Sequence, residues 1–205
     1  MICIVDYGVG NIQAFLNLFK RLDIEAMRAD KPDTLVDATR LVLPGVGHFD
    51  HAMDRLNNSG MRSKLEDLVL GRHVPVLGVC VGMQILAQSS DEGTLPGLNW
   101  VPGRVRSFSD QSKSAQLPLP HMGWNELQPQ ADSKLFSRGF EDGAQFYFLH
   151  SYFFDAENKE DVVATARYGF DFDAVVSRGH IHGVQCHPEK SHHWGEQLLR
   201  NFVEL

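Results

Sequence analysis

Through its first half the chain alternates short continuous apolar runs with stretches where apolar residues return every three or four positions. Ile2–Val5 is a β-branched run closed by Asp6-Tyr7-Gly8, the pattern of a buried strand. Behind Asn11, which is suited to cap a first turn, Ile12, Phe15, Leu16, Phe19 and Leu22 recur at helical spacing. Residues 40–43 read as a second strand that Pro44-Gly45 is expected to end, and Met53, Leu56, Met61, Leu65, Leu68 and Val69 mark helical surface beyond it. Residues 74–79 read as a third strand, with another helix beginning over 83–87. This alternation predicts an α/β fold with a mostly parallel central sheet flanked by helices.

The second half has a different pattern. Residues 101–108, Gln145–His150, 162–167, 174–177 and 180–185 read as strands separated by turns, which predicts an antiparallel extension of the sheet. Residues 194–203 form a final helix carrying Leu198, Leu199, Phe202 and Val203, and the polar stretch 109–115 reads as a surface loop. No internal repeat is visible. The length of 205 residues suits a single domain over 1–205.

Composition narrows the functions. Hydrophobic residues make up 43% and charged residues 22%, ordinary for a globular protein. A net charge of -7 gives no electrostatic reason to expect nucleic acid or an anionic membrane as partner. Cys3, Cys80 and Cys186 are too few and scattered for a disulfide framework, and without a CxxC pair they do not suggest zinc. No apolar run is long enough to span a bilayer, and MICIVDYGVG lacks the basic start of a signal peptide. A reducing, cytoplasmic setting is expected.

Gly78-Val79-Cys80-Val81-Gly82 joins an apolar run to a helical pattern, the strand–turn–helix context of a nucleophile elbow with cysteine as nucleophile. Side chains two residues either side of the nucleophile would collide at so sharp a turn. The following helix N-terminus favours a thiolate, and the Val81 N–H points where an oxyanion would form. Taken alone, the motif is equally compatible with an inert buried cysteine. His187-Pro188-Glu189 supplies a base and a carboxylate to orient it, two residues apart on an extended segment that Pro188 can bend. Cys186, adjoining His187, should face the other way and reads as core. His180 and His182 share a strand face, but nothing at ligand spacing completes a metal site. His192-His193 reads as a solvated helix start.

These residues, with Asp6-Tyr7-Gly8-Val9-Gly10-Asn11, Pro44-Gly45-Val46-Gly47, His121-Met122-Gly123-Trp124-Asn125 and His150-Ser151-Tyr152, resemble the class I (triad) glutamine amidotransferases across nearly the whole chain. Within that family they look most like glutaminase subunits of imidazole glycerol phosphate synthases. The resemblance implies the class I amidotransferase fold, a Cys80–His187–Glu189 triad and no cofactor. It implies an oxyanion site at Val81 and the Gly45, Val46 and Gly47 backbone, where the glycines make a peptide flip cheap. It further implies a glutamine pocket of Gln84, Glu92, Ser151 and Tyr152, with Glu92 facing the substrate ammonium. Nothing here resembles a phosphate-binding motif for an acceptor, so the resemblance implies a heterodimer with a (β/α)8-barrel cyclase subunit, docked near Asn11, Trp124 and Lys190. Trp124 is expected in a Pro-flanked loop. Cys186 stands where the family commonly has an aromatic residue, and Val79 and Val81 are smaller than the usual aliphatics. Three alternatives stand beside this reading. Residues 89–100 resemble paralogues that supply ammonia for sugar amidation in surface-polysaccharide pathways. The chain could instead be a non-catalytic subunit of the same fold, or a cysteine hydrolase acting on peptides.

Overall fold

A computed structural model describes residues 1–111 and 117–205. The first half builds strands β1 (Ile2–Val5), β2 (Ala26–Ala29), β3 (Arg40–Gly45) and β4 (Val76–Cys80). Between them lie helices α1 (Ile12–Arg21), α2 (Phe49–Asn58) and α3 (Arg62–Glu66), the last running on into a wider turn over Asp67–Gly71. Then come α4 (Val81–Gln84), β5 (Ser89–Ser90), β6 (Gly103–Ser107), β7 (His121–Pro129), β8 (Gln145–His150), β9 (Tyr152–Ala156), β10 (Val162–Tyr168), β11 (Phe170–Arg178), β12 (Ile181–Val184) and α5 (His192–Glu204). Most of the 109–115 stretch expected to form a surface loop lies outside the described residues.

Along the main path the strands run β2-β1-β3-β4-β12-β11-β10-β7-β8. The first five are parallel and the rest pair antiparallel, as the change in pattern predicts. All four residues of β1 and all five of β4 are buried, as strands covered on both faces require. β8 and β10 instead alternate buried and open positions. The N-terminus of α1 is capped by the Asn11 side chain, which accepts from the Ala14 N–H at 3.2 Å.

Several boundaries depart from expectation. β3 continues through Pro44-Gly45 because its partner β1 has ended by then, its register stopping at Val42. The missing Pro44 N–H therefore interrupts no ladder with β1. The helix expected over 83–87 is a single turn that starts earlier, at Val81. It stops because the carbonyls of Ile85, Leu86, Ala87 and Gln88 accept from the backbone of residues 97–101 instead. Trp124 lies on β7 opposite Tyr147 of β8, not in a loop. Strands β2, β5, β7 and β9 lack a strong apolar run and escaped the sequence pattern.

The antiparallel half encloses a polar pair. His121 and His150, both buried, face each other across β7 and β8 at 2.9 Å. Aromatic rings surround them: His121 stacks on Tyr168 and Phe148, and Phe172 packs against His150. The Tyr152 carbonyl can only accept, so His150 donates to it from Nδ1 at 2.8 Å. The His150 Nε2 lone pair then receives the His121 Nδ1–H, and the His121 Nε2 receives the Asn125 amide at 3.2 Å. One neutral tautomer of each ring satisfies every bond. Burial holds both rings neutral, pulling His121 down to about 4 and His150, which His121 also repels, down to about 3.

Two measurements check this packing. A methyl group at Gly82 would collide with the Leu43 carbonyl oxygen, whereas at Gly71 the nearest atom lies at 3.6 Å. In urea unfolding, Gly82→Ala should cost about 2 kcal/mol or more, and Gly71→Ala should stay within about 0.5 kcal/mol of wild type. The histidine pair sets a pH dependence. Both folded values lie below the unfolded value near 6.5, so below that pH the unfolded chain binds protons that the folded chain refuses. Their contribution is present above about pH 6.5 and is lost as pH falls toward 4, on the order of 3 kcal/mol for each ring. A His121→Gln/His150→Gln variant should show a shallower fall over that range, and parallel profiles would contradict the neutral pair.

Candidate active site

Two strand ends create the site. β4 and β12 are parallel neighbours, with Val79 opposite Val184, so their C-terminal ends lie at the same sheet edge. Cys80 leaves β4 there and His187 follows β12, which brings together residues far apart in sequence. Binding crevices of open α/β sheets form at this edge.

Cys80 has φ 56° and ψ −115°, a left-handed conformation that non-glycine residues adopt only when their surroundings enforce it. The enforcing contacts are steric. β-carbons at Gly78 or Gly45 would strike the Val81-Gly82 backbone or its surroundings, and one at Gly82 would strike Leu43. The predicted elbow therefore forms, although α4 is a single turn and its dipole is short. The sulfur sits between the Leu149 carbonyl at 3.9 Å and the Gln185 amide nitrogen at 3.8 Å.

His187 lies before a 3-10 turn over Pro188–Lys190, so the bend, not an extended strand, brings Glu189 back to it. The His187 Nδ1 and Glu189 Oε1 are 2.8 Å apart, and both side chains are 3% exposed. The Nε2 has no hydrogen-bond partner among the described residues. Burial opposes protonation of the ring, but Cys80 and Glu189 outweigh it and push the His187 pKa up to about 9. Ser191 fixes this segment by donating to the His187 carbonyl at 2.6 Å while accepting from the Tyr147 N–H at 3.0 Å. Cys186 is fully buried, and burial raises its pKa well above the ordinary thiol value, as an inert core thiol requires.

Cys80, Val81 and His187 line a cavity of about 290 Å³. The predicted pocket residues Gln84, Glu92, Ser151 and Tyr152 line it as well, as do Val46, Gly47 and Lys190. Glu189 stands behind His187, and Gly45 packs against the elbow. Gly47 has φ +91° with open space around it, so the segment next to the sulfur is conformationally permissive. Glu92 has a second task, since its Oε2 accepts from the Phe49 N–H at 2.8 Å at the start of α2. In return, Asp50 accepts from the backbone of Thr94 and Leu95. Burial, then Glu92, raises the Tyr152 phenol pKa, consistent with a negative field at that side of the cavity.

Asn11 and Trp124 do not line the cavity. The Asn11 side chain is engaged in capping, whereas Trp124 is 49% exposed and stacks on His192 at 5.3 Å. Sequence reasoning missed His150, Leu149 and Pro120 in the cavity wall and Gln185 beneath the sulfur. His150 falls within a motif read only for its neighbours, Leu149 within a strand read only for its pattern, and a single buried glutamine just past an apolar strand carries no periodic signal. His180 and His182 each bond a protein oxygen, Val69 O and Ser177 Oγ. Among the described residues no group of three or more His, Cys, Asp or Glu could hold a metal ion, and no helix is long and apolar enough to cross a membrane.

Comparison with known proteins matches residues 3–205 to the family described as glutamine amidotransferase class-I. The chain is 57% identical to the imidazole glycerol phosphate synthase subunit HisH of Bdellovibrio bacteriovorus and 49% identical to that of Leptospira interrogans, covering 100% of each chain in both cases. Among solved structures, a glutamine amidotransferase superposes with TM-score 0.77 at 20% identity, covering 99% of this chain and 97% of the other. PurLQS from Thermotoga maritima superposes with TM-score 0.71 at 19% identity, with the same two coverages. The shared fold, the cysteine at its strained turn and the match over nearly every residue lead to one assignment: the chain belongs to the class-I glutamine amidotransferase family.

Proposed function

We propose that this chain is the glutaminase subunit of an imidazole glycerol phosphate synthase in histidine biosynthesis, folded as one domain and acting in the cytoplasm. The observation that carries the chemistry is the strained Cys80 facing a cavity beside the buried His187–Glu189 pair. The names of the full-length relatives support the pathway.

In this reading the Cys80 thiolate attacks the side-chain carbonyl carbon of L-glutamine, forming a C–S bond and a tetrahedral oxyanion. The Val81 N–H and a backbone N–H of the segment Gly45-Val46-Gly47 stabilise that oxyanion. His187, protonated at neutral pH, donates its proton to the leaving nitrogen, and ammonia departs from the thioester. Water, deprotonated by the now neutral His187, attacks the thioester; glutamate leaves and the thiolate returns. Glu189 holds the Nδ1–H and so keeps Nε2 toward the reacting atoms. Gln84 offers its Oε1 to the substrate, because both of its amide hydrogens are engaged by Tyr152 O and Gln185 Oε1. Glu92 meets the substrate ammonium, and the Ser151-Tyr152 backbone closes the pocket.

Ammonia then passes to a (β/α)8-barrel cyclase subunit bound over the cavity mouth. Exposed Met122 and Trp124 on β7, together with Leu149 and Val46 near the cavity, form an apolar rim suited to such docking. Lys190 lies 5.7 Å from the Tyr147 ring at the same rim.

Assays of glutamate and ammonia release, with and without the cyclase subunit, test the proposal. Cys80→Ala should abolish release while the protein stays folded, and Cys186→Ser should retain most of it. The opposite pair of outcomes would identify the wrong nucleophile. The chain alone should turn over slowly and be stimulated by its partner, and full activity without partner would refute the coupling. Trp124→Ala should weaken association with the cyclase subunit at least about ten-fold while leaving the melting temperature of the isolated chain nearly unchanged. Unaltered affinity in a binding titration would remove Trp124 from the interface.

A further inference from the structure

We infer that Gln185 positions and stabilises the Cys80 thiolate: its side-chain amide donates to the sulfur and is locked in that orientation by Gln84. The inference rests on the reading of Cys80 as nucleophile.

The orientation follows from which groups can donate. The Tyr152 carbonyl can only accept, and it already receives the His150 Nδ1–H at 2.8 Å. The Gln84 amide end 3.2 Å from it must therefore be the NH2 group. That same nitrogen lies 3.1 Å from the Gln185 side chain, so Gln185 must present its Oε1 there. Its NH2 group is then left facing Cys80 Sγ at 3.8 Å. Gln185 is fully buried, and its backbone N–H is anchored to the Ala174 carbonyl at 2.8 Å, so neither end can swing away.

The sulfur thus has an acceptor on one side and a donor on the other. The Leu149 carbonyl suits the thiol, whose S–H can donate to it. Once the proton has moved to His187, that contact turns repulsive, while the Gln185 N–H becomes a charge-assisted donor to the thiolate. Cys80 is only 4% exposed, and a charge so largely buried costs free energy unless such a donor meets it.

Gln185→Met keeps the length of the side chain and removes the donor. The rate of iodoacetamide alkylation at Cys80 as a function of pH, followed in the isolated chain by mass spectrometry of the Cys80 peptide so that Cys3 and Cys186 do not contribute, reads the thiolate. The profile should move to higher pH, so that alkylation near neutral pH slows about ten-fold. With the cyclase subunit present, kcat should fall by a similar factor while KM for glutamine stays within about two-fold. Gln84→Met, which leaves the donor but unlocks it, should shift alkylation in the same direction by less, and supplies the test if Gln185→Met does not fold. An unmoved alkylation profile in a folded variant overturns the inference. A moved profile supports it even where no ammonia release is found, in which case the proposed function fails by itself.

Discussion

The structure depends on a steric crossing. The end of β3, the end of β4 and the first turn of α4 approach so closely that three positions, Gly45, Gly78 and Gly82, have no room for a β-carbon. This crossing holds Cys80 in a left-handed conformation that it would otherwise leave. The strain costs on the order of 1–3 kcal/mol and is sustained by the buried parallel strands on either side. Because β12 inserts beside β4 in register, the same rigid edge also delivers His187. The placement of Cys80 relative to His187 is thus set by strand pairing, with loops contributing only the final bend at Pro188.

Much of this was legible in the residues. Continuous apolar runs identified β1, β3 and β4, because a strand buried on both faces has no polar positions to confuse the period. The glycines around Cys80 and the His-x-Glu pair pointed to the chemistry proposed for this site, since few other sequence arrangements combine a sharp turn at a cysteine with a histidine and a carboxylate two residues apart. What stayed hidden was set by partners distant in sequence. β7 carries Met122, Trp124 and Glu126 outward and pairs through its backbone, so its sequence reads as a loop. α4 has helical composition beyond Gln84, but carbonyl capping by residues 97–101 ends it, and nothing local records that competition.

The polar interior follows the same rule. Gln84, Gln185, His121 and His150 are all buried, yet each finds hydrogen-bond partners, and the partners determine which atom faces which. The chain of bonds runs from Asn125 on β7 through both histidines to the Tyr152 carbonyl, and from there through two glutamines to the sulfur. Such a network resists piecemeal change, because removing one member leaves a buried neighbour without its hydrogen-bond partner. The polar groups of the cavity wall, Gln84 and His150, and the aromatic packing around the histidines are therefore two sides of one arrangement.

Glu92 extends this interdependence to the surface helices. One oxygen of its carboxylate holds the first N–H of α2, and the same side chain borders the cavity. Two unrelated demands fall on one residue: a helix start must stay closed, and a cavity must keep its negative side. Aspartate retains the charge but lacks a methylene of reach, and glutamine has the reach but not the charge. Over evolutionary drift the position is therefore constrained twice over, and the clasp between α2 and residues 90–95 can change only if both demands are re-met at once.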